Sequence, residues 1–456
     1  MGIPYTPDTL GVGARRAWVT IALVAANSII YVLTSLDNGL VQIADRWLWW
    51  GAFIPAYLPN FKQSYRLITS MFLHANLLHI FFNMIYLYNF GRLVEQALGG
   101  KRYLALYLLS GLAAEVFHAA FVPIEGPLTL ATPAIGASGA ISGVLGAYLL
   151  LFPGSRLSMC FFFLYFPVCF TASAAAYLIF WFIMQVLQGY AQASMGVAVF
   201  AHAGGFVAGM ALLPLILDRE RHRLLRALTA SQRAFKYVFL GSAGLGPLSK
   251  AILAAAILSL VAGGAYCIAA APTLRSPIKV LGFSVAYSVY CPPTGDLCDQ
   301  GFEEDAVVLA LDGRPRLAAQ ITTTSVRIVY NRLEALGVIY DKAWGGTTRE
   351  LNVKQTVRVM GVPVSVDVRM DATYDRSGVL DRAKGGMRTT ILSCTARACT
   401  PSGEGYFEFE VGPILGTEGG TETALMVASL SAAAMALSLG ALDAVLRKAG
   451  ALEIIA

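Results

Sequence analysis

Apolar stretches long enough to cross a bilayer recur along this 456-residue chain, and they fix its class before any motif is read. Spans are predicted near 17–36, 70–90, 103–122, 138–152, 172–190, 197–217 and 251–272. Such segments satisfy their backbone groups in lipid only as helices, so the first part of the chain reads as an all-α polytopic membrane domain. Charged residues make up 14% of the sequence, against about 25% in soluble domains. The first span is long and begins after Arg15 and Arg16, which fits a retained helix better than a cleaved signal. The fourth is short and Gly-rich, so it is expected inside the bundle. Met159–Phe170 is apolar but broken by Pro167 and reads as an interfacial lead-in.

Basic residues set the orientation. With the N-terminus inside, the inner loops hold Arg15, Arg16, Arg92, Lys101, Arg102, Arg156, Arg219, Arg221, Arg223, Arg226, Arg233, Lys236 and Lys250. Only Arg46, Lys62 and Arg66 of the basic residues before position 273 then fall outside. The net charge of +6 comes from this membrane part, so it speaks for topology and not for nucleic-acid binding.

The seventh helix returns the chain to the outer side. Residues 273–423 alternate in strand fashion, in KVLGFSVAYSVY, AVVLAL, SVRIVY, VRVMGVPVSVDVRM, RTTIL and YFEFEV. They predict a β-rich extracytoplasmic domain with one helix near Asn331–Leu336; the Glu303–Asp305 cluster reads as a solvated face. Cys291, Cys298, Cys394 and Cys399 lie in this domain and are candidates for two disulfides of open pairing. Their spacing suits a zinc knuckle poorly. Ala424–Leu442 carries no charge and is followed by Arg447 and Lys448. The basic pair favours a final span, while the Ala- and Ser-rich composition also fits a helix packed on the β domain. The division is thus 1–217 for a six-helix core, 218–250 for a basic cytoplasmic linker, 251–272 for a seventh helix, 273–423 for the β domain and 424–456 for the C-terminal helix.

Polar side chains inside a membrane ask for a reason. Three clusters stand out: HANLLHIFFN with His74, His79 and Asn83; GASG with Gly136, Ser138 and Gly139; and AHAGGFVAG with His202, Gly205 and Gly209. The three segments run in the same direction and carry these residues at similar depth, toward the outer leaflet. A serine becomes a nucleophile when a base takes its proton, and His202 is the candidate base for Ser138. Ser138 opens a helix, where free N–H groups and the dipole favour an oxyanion; His79 and Asn83, four apart on one face, can add donors. Gly139 with Gly143 and Gly205 with Gly209 are spaced to let the fourth and sixth helices approach closely. His74 is expected to shape the outer end of the second helix. Ser142 reads as a packing or back-bonding serine, Glu115 and His118 as a structural pair, and Glu95 as a tie for a loop.

These motifs, in this order, resemble those of the rhomboid intramembrane serine proteases: His79-x-x-x-Asn83, Gly136-Ala137-Ser138-Gly139, and Ala201-His202-x-x-Gly205-x-x-x-Gly209. The resemblance covers 17–217 and implies a rhomboid-like six-helix core, extended here by one or two helices. It implies a Ser138–His202 dyad and an oxyanion site formed by His79, Asn83, Gly136 and the Ser138 backbone. It also implies transmembrane protein substrates in a lipid bilayer, with no metal, organic cofactor or nucleic acid. Two departures stand out. The outer loop has Tyr65-Arg66 where the family often has Trp-Arg, and Ser142 stands four after Ser138 where many members have an aromatic residue. The leading expectation is a multi-pass cell-membrane endopeptidase with a cytoplasmic N-terminus and a site open to the outer face. Alternatives are an inactive rhomboid-like protein that binds membrane clients and, more weakly, a transporter.

Overall fold

The computed structural model describes residues 3–5, 17–126, 129–130, 132–163, 166–192, 198–228, 244–272, 278–291, 296–311, 315–317, 321, 323–359, 362–394, 399–415 and 420–454. Six helices form the first body: α1 Trp18–Ser35, α2 Leu77–Leu98, α3 Gly100–Ala120, α4 Ser138–Leu151, α5 Ala174–Tyr190 and α6 Val199–Ile216. A basic helix α7 (Arg219–Leu228) follows, then α8 (Pro247–Ala270), a β-rich body carrying α9 (Thr324–Ala335), and α10 (Gly420–Asp443). Among the described residues five helices are long and apolar enough to cross a membrane, at Trp18–Asn38, Gly100–Ala120, Val199–Ile216, Pro247–Ala270 and Ala424–Leu452.

The second helix begins later than the predicted 70–90. Residues 66–72 form two short helical turns, and the chain then extends to Asn76, whose side chain accepts the His79 N–H at 2.9 Å and so starts α2 at Leu77. Gly99, at φ +83°, is the single residue joining α2 to α3, a turn that favours glycine. Glu95 does not tie a loop. Its carboxylate accepts from the Val19 and Thr20 N–H groups (3.0 and 2.7 Å) and the Thr20 hydroxyl, and so closes the open N-terminus of α1. At the same end Arg221 of α7 donates to the Gln96 and Ala97 carbonyls, the last turn of α2.

The short fourth helix sits inside the bundle as expected, with every residue from Gly139 to Leu151 buried. Its neighbours come close enough for backbone to meet backbone. A Cβ at Gly205 would collide with the Gly139 carbonyl, and one at Gly209 with the Gly143 carbonyl. Gly139 and Gly143 themselves face α3, where added carbons would strike Ala114 and Ser110. The two small-residue pairs therefore divide the work: those on α6 admit α4, and those on α4 admit α3.

Met159–Phe170 lies within a β-hairpin of β2 (Arg156–Phe163) and β3 (Phe166–Ser173), on which β1 (Ile3–Tyr5) pairs. Pro167 sits at the start of its strand, where a missing N–H is tolerated.

The β-rich body is a seven-stranded antiparallel sheet of β4 Ile278–Cys291, β5 Asp296–Ala310, β6 Arg316–Leu317, β7 Thr348–Val359, β8 Val362–Tyr374, β9 Leu380–Cys394 and β10 Cys399–Leu415, in the order β6-β5-β4-β10-β9-β8-β7. SVRIVY is not a strand but opens α9. Buried Val326, Val329, Tyr330 and Leu333 follow a helical period, which outweighs the local alternation. Nor are Glu303–Asp305 a solvated face. Glu303 accepts from the Ser325 N–H at 2.7 Å, and buried Asp305 from the Thr323 N–H at 2.9 Å, so the cluster seats the N-terminus of α9. Buried Lys279 pairs with Asp375 and Asp381. Cys298 is disulfide-bonded, while the side chains of Cys291, Cys394 and Cys399 lie outside the described residues.

In AVVLAL, Val307 and Leu309 point to the α9 core while Ala306 and Val308 join a second cluster with Val280, Trp49, Ile54, Ala56, Val122 and Leu130. The run is apolar on both faces because the sheet rests on the loops between α1 and α2 and between α3 and α4. The C-terminal helix packs mainly on the bundle, with Met426 near its start against the patch that holds Val280 and Val308. Ser431 donates to the Ala120 carbonyl at the end of α3, and the Ile454 N–H to the Leu151 carbonyl at the end of α4.

Gly209→Val is expected to cost about 1–3 kcal/mol through the collision with α4. Gly246→Ala, with no atom near the added carbon, should stay within about 0.5 kcal/mol. Denaturation of the two variants in detergent checks both.

Candidate active site

The three polar clusters meet at one end of the bundle. Ser138 is the first residue of α4, and His202 lies in the first turn of α6, with Nε2 2.8 Å from the Ser138 hydroxyl oxygen. His79 and Asn83 occupy the first two turns of α2. The Ala75 N–H donates to His79 Nδ1 at 3.3 Å, which leaves the ring proton on Nε2. That edge of the ring lies over Gly136: a Cβ there would fall 2.8 Å from His79 Nε2 and 3.6 Å from the Ser138 oxygen. With φ at +124° as well, position 136 requires glycine. Asn83 is buried and donates back to the His79 carbonyl at 3.1 Å.

Helix α4 makes its first intrahelical bond from the Ile141 N–H to the Ala137 carbonyl, so the N–H groups of Ser138, Gly139 and Ala140 precede that ladder. An anion bound beside Ser138 would meet this open helix start, the His79 N–H and the positive end of the dipole.

The loop carrying Gly136 is held from two sides. The Gly136 N–H donates to the Ser70 carbonyl at 2.8 Å, and the Ser70 hydroxyl donates to Glu115 of α3 at 2.9 Å. Phe53 and Ala134 exchange backbone bonds at 2.8 and 3.0 Å. Arg66, buried, donates to the Ala52 carbonyl at 3.0 Å and to Gln63, and lies over the Tyr57 ring at 4.7 Å. The Tyr65 ring lies tilted against Trp50, 5.4 Å between centroids, and its hydroxyl donates to the Trp50 carbonyl.

His74 is buried just before α2, 5.1 Å ring to ring from His79. Ser142 is back-bonded, donating to the Ser138 carbonyl at 2.7 Å. Glu115 does not pair with His118, whose nearest carboxylate is Glu125 at 3.7 Å. Sequence reasoning passed over Gln185 and Trp181 of α5. The Gln185 amide oxygen is 2.9 Å from His202 Nδ1, and the Trp181 ring centroid is 6.2 Å from that of His202. The available signal was an amide in the apolar run AYLIFWFIMQVLQGY.

Residues 62–219 match the Rhomboid domain family. This part of the chain is a rhomboid domain. The match takes in α2 to α6 and leaves α1, the sheet, α8 and α10 outside. Rhomboid protein 1, mitochondrial, of Saccharomyces cerevisiae is 27% identical over 209 residues, 44% of this chain and 57% of that protein. RHOMBOID-like protein 12, mitochondrial, of Arabidopsis thaliana is 30% identical over 172 residues, 32% of this chain and 49% of that protein. Rhomboid-like protease 3 of Toxoplasma gondii is 26% identical over 199 residues, 43% of this chain and 66% of that protein. The chain thus spans about half to two thirds of these relatives, some named proteases and others rhomboid-like. With its several apolar helices the chain is a multi-pass membrane protein.

The geometry predicts that a serine-reactive fluorophosphonate labels Ser138 and leaves the back-bonded Ser142 untouched. His202→Ala should abolish labelling, and Gly136→Ala should slow it by about tenfold or more by displacing His79. Peptide mapping by mass spectrometry reads each outcome.

Proposed function

We propose that this rhomboid protein is an intramembrane serine endopeptidase that cleaves transmembrane protein substrates near the outer face of the cell membrane. What carries the reading is the 2.8 Å hydrogen bond between Ser138 and His202, on helices brought together by their glycines. Ser138 attacks the scissile carbonyl carbon while its proton passes to His202 Nε2. The carbonyl oxygen becomes an oxyanion, met by the His79 Nε2–H and the open N–H groups at the start of α4, with the Asn83 amide one turn below His79. The tetrahedral intermediate collapses as the C–N bond breaks and His202 gives its proton to the leaving amine. A water then loses a proton to His202, attacks the Ser138 ester and releases the second fragment.

The outward-facing assignment draws on two ends of the molecule. The site residues cluster at the N-terminal ends of α2, α4 and α6, whereas basic α7 binds the opposite end of α2. Positive loops favour the cytoplasm, which supports an outer side for the site and for the sheet that rests on its loops. A helical substrate shields its peptide bonds in its own hydrogen bonds, so segments weakened by Gly or Pro near the surface should be cut first.

Proteoliposomes holding a single-spanning model substrate test this. The native chain and Ser142→Ala should cut, and Ser138→Ala and His202→Ala should not. His79→Ala should lower kcat by about a hundredfold, the cost of roughly 3 kcal/mol for one lost oxyanion donor. A native chain that binds the substrate and leaves it intact would overturn the protease reading in favour of client binding.

A further inference from the structure

We propose that Gln185 is a positioning residue that fixes His202 as the base; this rests on the protease reading above. An amide oxygen only accepts hydrogen bonds. With Gln185 Oε1 2.9 Å from His202 Nδ1, the ring proton sits on Nδ1 and the lone pair of Nε2 faces the Ser138 hydroxyl. The opposite tautomer would donate from Nε2 to the serine oxygen and could take no proton from it. As the bond from Ser138 to the substrate carbon forms, the serine proton moves to Nε2. Nδ1–H stays on Gln185 throughout, and the proton on Nε2 leaves with the amine when the C–N bond breaks.

The ring also needs holding in its plane. Four residues after Ser138 stands Ser142, whose hydroxyl is turned back to the Ser138 carbonyl. Support comes instead from α5: Trp181, one turn before Gln185 on the same helix face, lies against His202 at an interplanar angle of 33°. Both residues that fix the ring thus come from a helix the serine and histidine motifs do not include. An amide also suits an apolar span, since it orients the imidazole with no buried carboxylate.

The experiment compares Gln185→Leu, Gln185→Glu and the control Gln188→Leu in the full chain. Fluorophosphonate labelling of Ser138 and cleavage in proteoliposomes are both followed across pH. Gln185→Leu should lower the labelling rate and kcat by about tenfold or more with KM little changed, because it misplaces the base rather than the substrate. Gln185→Glu keeps the acceptor, so labelling should persist. Its negative charge beside the ring should move the acid limb of the profile up by about one pH unit or more. Gln188→Leu should match the native chain. Native-like labelling and cleavage by Gln185→Leu overturns the inference, as does a Gln185→Glu variant as slow as Gln185→Leu with an unmoved profile. A native chain that neither labels nor cuts overturns the protease reading itself, and this inference with it.

Discussion

Backbone contact between α4 and α6 is the constraint from which the site follows. Ser138 and His202 are short side chains on different helices, and ordinary helix packing at 8–10 Å would leave them out of reach. The Gly139 carbonyl lies where a side chain at 205 would be, and the Gly143 carbonyl where one at 209 would be. Removing those side chains sets both the helix distance and the rotational register, since the glycines lie one turn apart on a single face. His202 stands three residues before Gly205 and Ser138 one before Gly139, so the register that fits the glycines delivers the imidazole to the hydroxyl. In lipid this packing is driven by contact rather than by exclusion of water, which makes the absence of Cβ atoms the available lever.

Close packing places two side chains, but an oxyanion needs a third element held still. Here the loop before α4 is strung between the neighbouring helix and the loop that joins α1 to α2. Glu115 reaches Ser70, Ser70 reaches Gly136, and Phe53 pairs with Ala134. Arg66 ties the same loop through the Ala52 carbonyl and the Tyr57 ring. The exchange of Trp for Tyr at position 65 keeps an aromatic ring on Trp50 and adds a hydroxyl donor to its carbonyl. Each link satisfies a polar group that would otherwise be costly among apolar neighbours, so order near the site and solvation of the loop are the same set of bonds.

The membrane core was legible in the sequence because its signals are strong and local: long apolar runs, basic loops, and glycine pairs at helical spacing beside Ser138 and His202. What the sequence left unread depends on partners far along the chain. Glu95 and Glu303–Asp305 look like ordinary charges until the N-termini of α1 and α9 are set beside them. SVRIVY alternates like a strand over six residues, and only the further Leu333 reveals the helical period. Gln185 belongs to a segment with no motif, and its meaning comes from the orientation of a histidine seventeen residues away. Ser142 was legible in the opposite sense: a hydroxyl without a distant partner in a helix turns to its own backbone.

Separating the β domain from the rest removes more than a sheet. Its sheet touches the helical body through an apolar patch of Val280 and Val308 on Trp49, Ile54 and Ala56, residues of the α1–α2 loop joined to the Gly136 loop through Phe53. Cutting the chain after position 272 looks from sequence like removal of an appendage. It would also remove α10, whose Ser431 satisfies the last turn of α3, and the residues after it, whose Ile454 N–H reaches Leu151 of α4. The helix that carries Ser138 and the helix that carries Glu115 would both lose a neighbour. Lost activity in such a truncation would therefore report on the packing of the core, whereas a charge placed at Val308, on the face turned to the loops, would loosen the sheet and leave α10 in the bundle.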